Sequence, residues 1–273
     1  MPSRHSGSSR GNHNSSSHNS KGSYEVDQED LVEQVKSIVT LLYEVITTKP
    51  HEWETYVVSA RSAMTALDHL HFFRDPSRYA EQVWIIQGLQ DFAYHNADNG
   101  CIRDIAEHCQ AFWLRVLRNY PESVDALAGL GKNWLQRSQE TLVRIQNAEG
   151  SDSSSSGDVS LTTALKDFGS YCILADPRRQ GALYVEARGY LQPSVDFYVR
   201  AVRAADNLVV TNGDLFSQAA ESQMSLGNVT ASPANERLFT EAVRYLRRAE
   251  SIPGYTLSVY MQQYLEDYGR YVS

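Results

Sequence analysis

The sequence predicts an all-helical protein built from antiparallel helix pairs, and three observations carry that prediction. Apolar residues recur at three- and four-residue steps from Glu25 onward, as in Leu31, Val35, Ile38, Val39, Leu42, Val45 and Ile46, a spacing that lines one face of a helix. No run alternates apolar and polar residues between turn signals, as a half-buried strand requires. The stretch Pro121-Glu-Ser-Val-Asp-Ala-Leu-Ala-Gly-Leu-Gly-Lys-Asn-Trp134 sets small residues where two helices cross and a proline where one helix hands over to the next.

Taken in order, the periodicity places helices at 27–48, 52–74, 77–96, 100–119 and 123–148. A second group follows at 160–175, 178–191, 194–208, 214–226, 236–250 and 256–271. Pro76, Pro121, Pro177, Pro193 and Pro253 mark the breaks, because proline lacks an amide donor and biases its predecessor away from helix. Asp75, Asn99, Asp176, Asp214 and Asn235 stand where a side-chain oxygen would cap a helix start.

Two segments fall outside this pattern. Residues 1–24 form a Ser-, Asn- and His-rich tail; from Met1 to Ser23 it holds Arg4, Arg10 and Lys21, no acid, and no aliphatic side chain after Met1. Such a tract buries too little apolar surface to offset its ordering entropy and is expected to be disordered. Residues 150–159 fall in the low-complexity run Glu149-Gly-Ser-Asp-Ser-Ser-Ser-Ser-Gly-Asp158 and read as a flexible linker or loop. They divide an N-terminal helical region, 25–149, from a C-terminal one, 160–273.

The chain has 273 residues and a net charge of −8, and without the tail the body carries −11. So acidic a body disfavours nucleic-acid binding. The tail lacks the apolar core of a secretion signal, and no stretch of 18 apolar residues occurs, so no membrane span is expected and the location implied is cytoplasmic or nuclear. Cys101, Cys109 and Cys172 are odd in number and lie in apolar helical contexts, which suits reduced thiols.

The repeat pattern resembles the tetratricopeptide repeat (TPR) family. With Pro121 closing one repeat, Leu130, Gly131 and Trp134 fall on the family's Leu, Gly and aromatic positions, and Trp113 and Val116 on the large and small positions before the closing proline. Tyr198 and Ala201 resemble the end of another second helix, with Gly189 at the turn before it. Ala219 and Ala220 fall at a tight crossing, and Gly227 at the following turn. Ala242, Leu246 and Ala249 repeat the second-helix spacing, and Leu257 to Tyr271 resembles a capping helix. The resemblance covers Tyr94 to Arg270, and it implies a TPR-like α-solenoid: a right-handed superhelix of antiparallel helix pairs whose product is a binding surface.

No stretch of comparable strength carries chemistry. Gly129-Leu-Gly131 begins like a dinucleotide fingerprint, but Trp134 occupies the third glycine position. Gly131-Lys132 imitates the end of a phosphate loop, yet Ala126 and Asn133 replace its first glycine and its hydroxyl. His69 and His71 point to different sides of a helix. Cys101 and His108 share a face but stand about 10 Å apart along the axis, too far for one metal. His5, His13 and His18 belong to the low-complexity tail. No catalytic residue, cofactor or metal is therefore assigned.

The function expected is a non-catalytic scaffold or adaptor that presents a helical-repeat groove to a protein or peptide. The alternative is a helical enzyme or small-ligand carrier with its site inside the superhelix. Residues proposed for the groove are Asn133, Arg137, Gln218 and Gln223, with Gln136, Gln262 and Gln263 beside them. Arg244 and Arg247 belong to a set with Arg178, Arg179, Arg188, Arg200, Arg203 and Arg248 that would suit an acidic partner segment. Tyr264, Tyr268 and Tyr271 make a stripe on the last helix, a surface for self-association if exposed and for packing if not.

Overall fold

The computed structural model describes residues 17–70, 72–152 and 177–272. Nine α-helices lie within them: α1 (Ser17–Thr48), α2 (Trp53–His69), α3 (Tyr79–Ala93), α4 (Arg103–Asn119), α5 (Val124–Asp152), α6 (Ala182–Asn207), α7 (Gly213–Asn228), α8 (Ala234–Glu250) and α9 (Val259–Tyr268). No strand occurs among the described residues. The expected helix 160–175, with Cys172, lies outside them, as do His5, His13 and His71. Helix α1 begins within the tail expected to be disordered, and α5 runs on to Asp152, past the start of the expected linker.

The helices pack in sequential pairs, α1 with α2, α3 with α4, α5 with α6 and α7 with α8, and α9 lies on α8. Alternate helices also touch, α1 with α3, α3 with α5, α5 with α7, and α2 with α4. Two apolar cores result. One gathers α1 to α5 around Leu42, Leu67, Ile86, Phe92, Phe112 and Trp113. The other runs from α5 to α9 around Leu191, Tyr198, Phe216, Ala220 and Leu246. Helix α5 belongs to both, giving Ala126 and Leu130 to the first and Leu127, Leu135 and Ile145 to the second, so the two helical groups pack together. Its contact with α6 is the most extensive among the described residues.

Close approach at the crossings depends on glycine. A Cβ on Gly131 of α5 would lie 2.8 Å from the Tyr198 ring of α6, one on Gly129 would lie 2.4 Å from Trp113 of α4, and one on Gly227 of α7 would lie 2.6 Å from Phe239 of α8. Each ring fills the space a side chain would occupy. Beside Gly131, the buried Ser194 hydroxyl donates to the Gly131 carbonyl at 2.8 Å and lies 2.9 Å from the Ser222 hydroxyl, joining α5, α6 and α7 at one point.

Several local expectations are corrected. Residues 178–191 and 194–208 are not two helices: α6 is continuous, with Pro193 inside it. The carbonyl that loses its donor belongs to Gly189, which is exposed and so open to solvent, where an unpaired carbonyl costs little. Gly189 and Gly227 are therefore helical and not turn residues. Helix α2 stops at His69 because Leu70 turns extended, ψ 144°, and Phe72–Arg74 form a separate 3-10 turn. Caps also shift. Asp75 caps its turn as expected, but Asn212, not Asp214, caps α7, Asn235 lies inside α8 behind Pro233, and α4 has no side-chain cap from Asn99.

A candidate partner-binding surface at Arg137

Between α3, α4 and α5 lies a polar cluster inside the first core. The Trp113 indole N–H donates to Gln90 Oε1 at 2.9 Å, and Asn133 Nδ2 donates to the same oxygen at 3.2 Å and to the Ala106 carbonyl at 3.3 Å. Gln90 Nε2 donates to the Gly129 carbonyl at 3.2 Å and to Gln136 Oε1 at 3.3 Å. Asn133 Oδ1 accepts from the Tyr94 hydroxyl at 3.3 Å. Gln90, Tyr94, Trp113 and Asn133 are all buried, and each buried polar atom of the group finds a partner, as burial demands. Burial raises the Tyr94 phenol to about 12, so it stays a neutral donor.

Arg137 stands at the mouth of this cluster. Its Nη2 donates to Asn133 Oδ1 at 3.5 Å, and its guanidinium lies 4.9 Å from the Trp134 ring centroid. Trp134 leans on Tyr190 of α6, with ring centroids 6.3 Å apart. Among the described residues, no carboxylate forms an ion pair with Arg137. Part-buried Lys132 pairs with Asp91 at 2.6 Å, and Arg78 with Glu81 at 2.6 Å and Glu29 at 2.7 Å, whereas part-buried Arg188 donates to the carbonyls of Arg179 at 2.8 Å and Val229 at 2.6 Å and Arg179 to that of Thr230. A half-buried guanidinium stacked on an indole, with N–H donors left over, has the chemistry to donate to a carboxylate or phosphate.

The other proposed groove residues are placed differently. Asn133 is interior and commits its amide to the cluster. Gln218 Oε1 accepts from the Tyr198 hydroxyl at 3.0 Å. Gln223 is buried, and its Oε1 has no hydrogen-bond partner. Arg244 pairs with Glu241 at 2.6 Å. Arg247 Nη2 donates to the carbonyls of Gly269 at 2.7 Å and Val272 at 2.8 Å, closing the end of the chain after α9. Tyr264 is buried and Tyr268 half-buried, their rings 4.8 Å apart, while Tyr271 is exposed.

The structure thus brings Asn133 to Arg137 and Arg247 to the segment that follows Tyr268, and it buries Asn133, Gln223 and Tyr264. Sequence reading missed Gln90, Tyr94 and Tyr190. The Trp134 to Arg137 step of three residues was the available signal; nothing local connects Tyr190 of α6 to either. Cys109 is buried, with its thiol pushed up by burial, and Cys101 is exposed. His108 faces Asp68 at 3.3 Å. No helix among the described residues is long and apolar enough to cross a membrane. Comparison of the chain with protein-family models, with curated proteins and with solved structures finds no match.

Proposed function

We propose that this protein is a non-catalytic, TPR-like scaffold, its helix pairs wound into a right-handed superhelix, that grips an acidic segment of a partner protein at Arg137. The observation that carries the proposal is the unpaired guanidinium stacked on Trp134. Trp134 and Tyr190 supply amphipathic contact area around it, the residue types that dominate interface energetics. Asn133 positions the guanidinium from below, itself anchored to Gln90 and Ala106, so little side-chain entropy is lost on binding. Sequential pairing with contact between alternate helices supports the repeat reading. Cys101 and Cys109, unpaired with each other, suit a cytoplasmic or nuclear setting.

Selection of a random peptide display library on the purified protein tests this. Enrichment of peptides bearing Asp or Glu is expected, with at least a tenfold loss of binding in Arg137→Glu and a smaller loss in Trp134→Ala. Enrichment that ignores acidic residues, or binding that persists in a folded Arg137→Glu variant, overturns the assignment.

A further inference from the structure

Two exposed features, at separate places in the chain, carry apolar side chains beside unlike charge. The first is the corner between α6 and α7, where Leu208, Val209 and Val210 are 59%, 88% and 45% exposed in succession. Its backbone is locked: Val210 N–H donates to the Ala205 carbonyl at 2.9 Å and Val209 N–H to the Asp206 carbonyl at 3.1 Å, the paired closure of a Schellman motif. Asn212 fixes the far side, its Oδ1 accepting from Leu215 N–H at 3.1 Å. That closure places Val209 at φ 55°, a left-handed conformation that glycine adopts freely and a β-branched residue only under strain. The corner therefore holds an aliphatic knob rigidly in solvent, at a position where the backbone alone would favour glycine. Behind the knob, Arg200 and Arg203 line a shallow cleft of about 150 Å³ with Pro121, Glu122 and Asn207. Both are exposed, and neither forms an ion pair among the described residues.

The second feature is one flank of α1. Val32, Val35, Val39 and Leu42 face the first core, whereas Leu31 and Leu41 remain 36% and 39% exposed. Ile38 lies between them, and the steps of seven and three residues align the three on one ridge. Asp30 and Glu33 stand beside it and line an open groove with Gln34, Ser37 and Ile38; Glu33 also pairs with Lys36 of the same helix at 2.8 Å, while Asp30 forms no ion pair among the described residues.

We propose that the Leu208–Val210 knob of one molecule docks on the α1 flank of a second copy of this chain, its aliphatic side chains against Leu31, Ile38 and Leu41, with Arg200 and Arg203 directed toward Asp30 and Glu33. Charge complementarity selects this occupant: the basic collar of the knob finds unlike charge on the chain's own α1. An anionic bilayer is the poorer match, because the chain as a whole carries −8 and is repelled from it. Both surfaces are exposed, so neither covers the other within one copy. The contact joins unlike patches, and each molecule offers one of each. It is independent of the Arg137 site.

Sedimentation velocity of the full chain over a concentration series provides the test, with circular dichroism to confirm folding. Val209→Asp destroys the knob and keeps the flank; Leu31→Arg does the reverse. Both positions are open to solvent, and aspartate tolerates the left-handed conformation. The wild type is expected to self-associate reversibly and each variant to weaken that association at least tenfold. An equimolar mixture of the two variants is expected to recover a one-to-one dimer that grows no further, since each retains the surface the other lacks. A wild type that stays monomeric throughout, or folded variants whose mixture fails to associate, overturns the proposal. Val209-dependent flotation of a monomeric wild type with phosphatidylserine vesicles overturns it as well and reassigns the knob to a lipid surface.

Discussion

A methyl group on Gly131 would stand 2.8 Å from the Tyr198 ring, and Tyr198, buried and bonded through its hydroxyl to Gln218, has nowhere to retreat. Gly131→Leu is expected to cost about 1 to 3 kcal/mol by overpacking, read as a lowered midpoint in chemical denaturation. The same residue type serves another purpose elsewhere. Gly100 has φ 106°, a conformation that ends the turn before α4. Single residues of this kind were partly legible in the sequence. Gly131, Trp113, Ala220 and Ala242 lie at or in the cores as their spacing implies, because a small residue flanked by helix-period apolar residues has few other uses. Trp134 was not legible in the same way: the family position implies a packed aromatic, yet the ring is only half-buried, shared between Tyr190 and Arg137. That fate depends on a partner from another helix, which spacing within α5 does not encode.

At the scale of the element, α6 is the instructive case. Local chemistry argues for a break at Pro193, and tertiary packing overrides it. Leu191, Ser194, Val195 and Tyr198 on both sides of the proline are buried, so ending the helix there would expose a continuous apolar face. Proline's own deficit falls on the exposed Gly189 carbonyl. Pro193→Ala restores that hydrogen bond and removes the ring's clash with the preceding turn, and is expected to stabilise the protein by about 1 to 3 kcal/mol, less whatever is lost to a freer unfolded chain. Thermal unfolding of the variant checks it, and an unchanged or lower midpoint would mean that α6 needs the bend proline imposes. Helix existence was thus legible almost throughout, because amphipathic periodicity is written locally. Boundaries and caps at α2, α4, α7 and α8 were less so, since Asn99, Asp214 and Asn235 compete with neighbours for the same orphan amides.

For the whole molecule, buried charge sets how stability varies with pH. Desolvation raises the Glu221 carboxyl above its ordinary value, and no basic side chain among the described residues forms an ion pair with it. A raised carboxyl leaves the folded state unpenalised below the unfolded pKa and opposes folding progressively as pH rises through the folded one. Glu221→Gln should therefore raise the melting temperature at about pH 7 and bring no gain at about pH 4. A gain of equal size at both would locate the effect in packing. Glu81 works in the opposite sense, lowered first by its hydrogen bond to Arg78 and also by Lys36, so its tie between α1 and α3 is present above the ordinary carboxyl range and fades in acid. The union of α5 with α6 bears on the molecule as a whole in one more way. The Ser194 hydroxyl on the Gly131 carbonyl, the Tyr198 ring over that glycine and the apolar rows around them lie entirely in Val124–Asp152 and Ala182–Asn207. Because these contacts lie within α5 and α6 themselves, two polypeptides divided between Asp152 and Pro177 are expected to associate when co-expressed, which co-purification checks.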